Sequence, residues 1–101
     1  MDTSRSSRLA LVDVVGTFDG PWMCPRGGET LVRISALGPA ETIVLEVENP
    51  ARRQPFAGPL RAPGEYPIRF MLAQATRFRF RKLSPDPASS PPTTVELLSD
   101  G

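Results

Sequence analysis

Histidine is missing from this chain altogether, and cysteine, tryptophan, tyrosine and lysine occur once each. Without histidine the usual general base and the commonest transition-metal ligand are gone. The single cysteine, Cys24, permits no internal disulfide and no zinc site built from soft ligands. It sits in no activating motif, so it is expected to be a small buried or half-buried hydrophobe, in a protein of a reducing compartment or of a particle assembled there. No apolar run approaches the ~20 residues a membrane-spanning helix needs, and residues 1–8 hold no signal-peptide stretch. Gly27-Gly28 lacks the strand–loop–lysine–helix setting of a phosphate cradle. Asp13 and Asp19 are the carboxylates a calcium loop would draw on, yet no loop has dense Asp/Asn spacing. The expectation is a protein that is not an enzyme and takes no cofactor or metal.

What is present is proline (twelve) and glycine (eight) in 101 residues, with 40% hydrophobic and 23% charged side chains. That composition fits one domain with a modest core, made of short strands joined by stiffened loops. The net charge of +1 hides a strong asymmetry: residues 1–50 carry −3, residues 51–82 carry +7 and residues 83–101 carry −3. Either the basic segment faces an anionic partner, or basic strands pair with acidic ones inside the fold. The second is the favoured reading. Eleven of the twelve basic residues are arginine, whose planar fork suits ion pairs at interfaces.

The chain is organised around Arg77-Phe78-Arg79-Phe80-Arg81-Lys82. Alternation along a strand sends Phe78 and Phe80 to a core and Arg77, Arg79 and Arg81 to the other face. Residues 1–8 read as a flexible polar arm and 99–101 as a tail, with one domain over 9–98. Leu9 to Phe18 reads as a strand, with Ala10, Val12, Val14 and Phe18 on one face and Leu9, Leu11, Asp13 and Val15 on the other. Both faces are largely apolar, so that strand is either central or covered by another subunit. Asp19-Gly20-Pro21 signals a turn, and Trp22 anchors a core edge. Further strands are expected over Glu29–Leu37, Thr42–Glu48, Gly64–Leu72 and Thr93–Leu98, the beginning of the third demoted to an edge or a bulge by Pro67. Residues 50–64 form a long loop with a short edge strand near Phe56, and 84–92 a loop rich in proline. This spacing, with no helix of three turns between strands, predicts an antiparallel β-sandwich, jelly-roll or Ig-like, of six to eight strands.

Glu46 and Glu48 share a strand face and are expected to be solvated or to pair with Arg77, Arg79 and Arg81, at roughly 0.2–1 kcal/mol for each cross-strand pair. Nucleic-acid binding is disfavoured because alternation puts the phenylalanines and the arginines on opposite faces, whereas a single-strand binder needs both in one groove.

The order of Pro63-Gly64-Glu65-Tyr66-Pro67, then Ala75-Thr76-Arg77-Phe78-Arg79-Phe80, then Thr93-Thr94-Val95-Glu96-Leu97-Leu98, resembles the small β-sandwich structural proteins of tailed bacteriophages. These include capsid decoration or cement proteins and related head or tail modules. The likeness covers roughly residues 29–98, and the proline-rich insertion at 84–92 departs from the tight final hairpin of that group. The resemblance implies a virion protein, assembled in the host cytoplasm, that stabilises a shell by contacts with the major capsid protein or other virion proteins. It implies a homo-oligomer, such as a trimer, with no nucleic-acid or membrane partner. Candidate partner-binding residues are Arg52 and Arg53 in the loop and Leu9, Leu11 and Val15 on the first strand. The competing reading is a ligand-binding sandwich that recognises carbohydrate, which would display Trp22 and Tyr66 on one open face.

Overall fold

The computed structural model describes residues 5–25, 29–48, 53–55, 59–68 and 76–100. Among them eight strands occur in chain order: β1 (Arg5–Val14), β2 (Phe18–Asp19), β3 (Glu29–Ile34), β4 (Thr42–Glu48), β5 (Arg53–Pro55), β6 (Gly64–Pro67), β7 (Arg77–Leu83) and β8 (Thr93–Asp100). They form two four-stranded sheets, β1-β8-β3-β6 and β2-β7-β4-β5, in which every pairing is antiparallel. Four of the pairings join strands whose numbers add to nine: β1 with β8, β2 with β7, β3 with β6 and β4 with β5. A long ribbon rolled up on itself gives this order, which is that of a jelly roll. The expected sandwich is therefore present, in the jelly-roll form.

The core lies between the sheets and is built by alternation. β4 buries Ile43, Leu45 and Val47, β7 buries Phe78 and Phe80, and Val32, Ile34, Val95 and Leu97 meet them from the other sheet. The Phe78 and Phe80 rings meet edge to face with centroids 5.9 Å apart, a favoured aromatic geometry. The predicted inward face of the arginine strand is thus observed. Pro67 does sit on an edge strand, β6, and a short edge strand, β5, does follow β4; Phe56 lies outside the described residues.

Three expectations are corrected. Arg5 to Arg8 are part of β1, paired with Leu97 to Asp100, so the polar arm enters the sheet and β8 reaches past Leu98. β1 does not alternate: its register slips between Leu9 and Leu11 and again between Leu11 and Val14, where Asp13 takes a left-handed φ of 49°. Each bulge adds a residue and flips the faces beyond it. Ala10, Leu11 and Val14 consequently point inward while Leu9 and Val12 point out. Finally, Asp19-Gly20-Pro21 does not turn the chain away. Gly20 N–H donates to Phe80 O at 2.8 Å, and Met23 exchanges two hydrogen bonds with Phe78. A Cβ on Gly20 would lie 2.7 Å from Phe80 O and 2.8 Å from the Leu11 side chain, so this close passage needs glycine.

Candidate contact surfaces

On the outer face of β7 the three arginines meet three carboxylates. β4 runs antiparallel to β7 with Glu48 opposite Arg77 and Glu46 opposite Arg79, while Asp19 of β2 is opposite Arg81. Arg79 Nε donates to Glu46 Oε1 at 2.6 Å, Arg81 Nε to Asp19 Oδ1 at 2.8 Å, and Arg77 Nε to Glu48 Oε1. The Arg81 hydrogen bond holds Asp19 below the usual carboxylate range and raises Arg81 in turn. A second ladder crosses the other sheet, where Arg33 bridges Glu65 at 2.7 Å and Glu96 at 3.5 Å. The basic strand is neutralised within the fold, which is the favoured of the two sequence readings.

Trp22 belongs to that outer face rather than to a core edge. Between the Gly20–Phe80 and Met23–Phe78 contacts, Pro21 and Trp22 stand against Arg79 alone, a bulge that turns the indole outward. The guanidinium carbons of Arg77 and Arg79 lie 4.6 and 4.7 Å from the ring centroid. Such cation–π contacts contribute about 0.5–2 kcal/mol each. Tyr66, on β6 of the other sheet, packs partly buried against the core and donates its hydroxyl to Ala62 O. The two rings share no face.

One end of the sandwich is closed by a buried ion pair. Lys82 follows Phe78 and Phe80 inward and is fully buried; its Nζ donates to Pro91 O at 2.8 Å and Val14 O at 3.0 Å, and lies 3.4 Å from Glu41 Oε1. Glu41 also accepts from Gly38 N–H at 2.8 Å and from Ser84 Oγ at 2.6 Å. Burial alone would raise this carboxyl. Hydrogen bonds from Ser84, Ser90 and Gly38, with the Lys82 charge, bring it down to about 2. Gly38 lets the 84–92 loop settle here, since a Cβ on it would meet Ser89 O at 2.7 Å. Charge pattern does not single out this cluster; its one signal is the period of β7, which makes Lys82 inward whenever Phe78 and Phe80 are.

β1 and β2 are the edges of their sheets, at the same side of the sandwich where residues 15–17 connect them. Along that side Leu9 (52% exposed), Val12 (56%), Val15 (54%) and Phe18 (43%) recur every third residue. Among the described residues the other edges are short or guarded: β2 has two residues, β5 three and β6 four, with Pro55 and Pro67 ending the last two. Short strands and prolines are the ordinary protections of a free edge, and the ten residues of β1 contain no proline.

Of the predicted partner residues, Leu9 and Val15 are thus together on this side. Leu11 is not available: at 2% exposure it packs in the core, because the preceding bulge reverses its face. Arg52 lies outside the described residues; Arg53 opens β5 opposite Glu48, and its side chain lies outside them too. The sequence reading missed Val12 and Phe18, which alternation sets on the opposite face from Leu9 and Val15 and which are exposed with them. Cys24 is exposed rather than buried. Asp13 accepts from Thr94 Oγ1 at 3.3 Å, and among the described residues no three His, Cys, Asp or Glu side chains gather as a metal site. Comparison with protein families, with curated proteins and with solved structures gives no match for this chain.

Proposed function

We propose that this chain is a structural virion protein of a tailed phage, a decoration or cement subunit that works by protein–protein contact and without catalysis. The observation that carries the reading is the long, proline-free edge of β1 with Leu9, Val12, Val15 and Phe18 exposed beside it. A monomer with no contacts to make has no use for such an edge, which invites association. The strand order adds support, since jelly rolls are frequent in capsid proteins, though lectin domains use them as well. The position of β1 matters too. It is an edge strand, and although its bulges account for Leu11 turning inward, the exposure of Leu9, Val12 and Val15 supports coverage by a neighbour.

The carbohydrate reading is the weaker one because Trp22 and Tyr66 stand on different sheets, and Trp22 already stacks on two arginines. Nucleic acid is disfavoured because Arg77, Arg79 and Arg81 are spent on carboxylates. The test is co-sedimentation: particles purified from cells that express the chain from its natural genome should carry it in fixed proportion to the major capsid protein. Replacing Arg52 by glutamate should weaken that attachment; Arg53 is left in place, because its reversal would set glutamate opposite Glu48 in the β4–β5 ladder. Particles devoid of the chain would refute the proposal.

A further inference from the structure

We infer that the Leu9–Phe18 side of the sandwich is a docking strip for an amphipathic α-helix of another protein, one whose apolar stripe is flanked by lysine or arginine. This rests on the reading of the chain as an assembling protein and deepens it by giving the chemistry of a partner.

The strip is apolar at its centre and acidic at its rim. Leu9, Val12, Val15 and Phe18 are exposed along it. Asp13, also exposed, accepts from the Thr94 hydroxyl and pairs with no cation among the described residues. Glu96 lies opposite Leu9 in the β1–β8 ladder, and Arg33, 3.5 Å from it, sits closer to Glu65, at 2.7 Å. At the Val15 end the 84–92 loop packs on residues 16 and 17. There Gly16 N–H donates to Ser90 Oγ at 2.8 Å and Ser84 N–H to Thr17 Oγ1 at 3.0 Å. The exposed Asp86 precedes Pro87, whose ring would meet a Cβ on Gly16 at 3.8 Å. Described cations on the strands beside the strip turn elsewhere: Arg8 to the Phe78 ring at 5.8 Å, Arg81 to Asp19 at 2.8 Å, and Lys82 into the core. Carboxylates around an aliphatic centre suit a partner that brings apolar side chains and positive charge together.

The shape of the strip favours a helix over a strand. It runs from the bulged half of β1 through residues 15–17 to β2, which belongs to the other sheet. An added strand would follow one edge, and the two register slips between Leu9 and Val14 interrupt that edge. A helix needs no ladder. Side chains three residues apart on an extended chain stand ~10 Å apart, close to the ~11 Å of two helical turns. Helix positions i, i+3 or i+4 and i+7 can therefore seat beside and between Leu9 and Val12. A second copy would bring the same carboxylates to the strip, and no α-helix among its described residues.

The probe is a labelled leucine–lysine peptide of about 14 residues, ~21 Å of helix, with leucine at every third or fourth position. Its fluorescence anisotropy is followed as the full chain is added. The wild type should bind it, less tightly as salt rises, and should not bind the same peptide with glutamate in place of lysine. Val12 is 56% exposed, so Val12→Ser should keep the native circular dichroism and weaken binding about tenfold, the loss expected when one valine is no longer buried. Asp13→Asn, which suits the left-handed backbone there, should weaken binding severalfold and flatten its salt dependence. Glu65→Gln, on the far edge of the same sheet, should leave binding unchanged. Equal losses from Glu65→Gln and Asp13→Asn would mean attraction by net charge alone and overturn the inference, as would a Val12→Ser protein that binds like wild type. So would tighter binding of an extended peptide of alternating valine and lysine, or self-association of the wild type that Val12→Ser abolishes. A chain that ignores the helical peptide yet travels with particles would sink this inference alone. Peptide binding by a chain absent from particles would sink the virion reading alone.

Discussion

Replacing Lys82 by methionine is the most severe test of the closed end of the sandwich. Methionine keeps most of the aliphatic stem, so the change isolates the ammonium. What is lost is one buried donor shared among Pro91 O at 2.8 Å, Val14 O at 3.0 Å and the Glu41 carboxylate at 3.4 Å. Removing one member of a buried ion pair typically costs about 3–5 kcal/mol. Glu41 keeps its bonds from Ser84 and Gly38, which puts the expected cost at the lower end, about 3 kcal/mol at pH 7. For a domain of this size that lowers the melting temperature by more than about 10 °C. The pH dependence gives a second reading. Glu41 is depressed from 4.5 to about 2 in the fold, so its contribution is full above pH 4.5 and is lost as the pH falls through 2. That shift corresponds to about 3 kcal/mol. Without Lys82 the Glu41 carboxyl moves up, and the acid limb of the stability curve should move to higher pH with it. Adding Glu41→Gln to the variant should recover part of the loss, because a neutral amide needs no counter-ion. Melting curves from pH 2 to 7 on the four proteins of this cycle decide the matter. A Lys82→Met protein within 1 kcal/mol of wild type, with an unmoved acid limb, would mean that the ion pair closes nothing.

Two further perturbations are simpler. Phe80→Ala removes a fully buried ring that packs on Phe78 and should cost about 3–5 kcal/mol by chemical denaturation; an unchanged midpoint would reverse the faces of β7. Ala40 holds a left-handed φ of 60° in the turn closed by Glu41 N–H to Gly38 O, so Ala40→Gly should raise stability by up to about 1 kcal/mol, and a loss would show that the alanine is not strained there.

How much of this was legible in the sequence follows from how local each determinant is. β4 and β7 alternate without interruption, so their faces, their pairing charges and the burial of Phe78 and Phe80 follow from period alone. Lys82 obeys the same period, but a lysine at the end of an arginine run reads as surface unless the period is trusted over the residue type. β1 fails for a different reason. Its bulges are set by the register it finds against β8, eighty residues away, and no pattern within Leu9 to Val14 announces them. Strict alternation groups Leu11 with Leu9 and Val12 with Val14, whereas the fold buries Leu11 and exposes Val12. Trp22 was misplaced by a bulge of the same kind, created where Pro21 breaks the ladder with β7.

The pairing of strands whose numbers add to nine has a consequence for the order in which the protein can be made. Of the eight strands described, β8 leaves the ribosome after the other seven, yet it lies between β1 and β3. Until residues 93–100 emerge, β1 has no neighbour in its sheet, and its aliphatic edge waits beside β3 and β6 with a gap where β8 belongs. β7, likewise late, fills the middle of the other sheet. The nascent chain therefore cannot settle strand by strand; both sheets close only when residues 77–100 arrive. Topologies dominated by such distant contacts fold in milliseconds to seconds rather than microseconds. During that interval β1 is at its most adhesive, and a chain cut short before Thr93 should be a substrate for chaperones and proteases rather than a smaller folded domain.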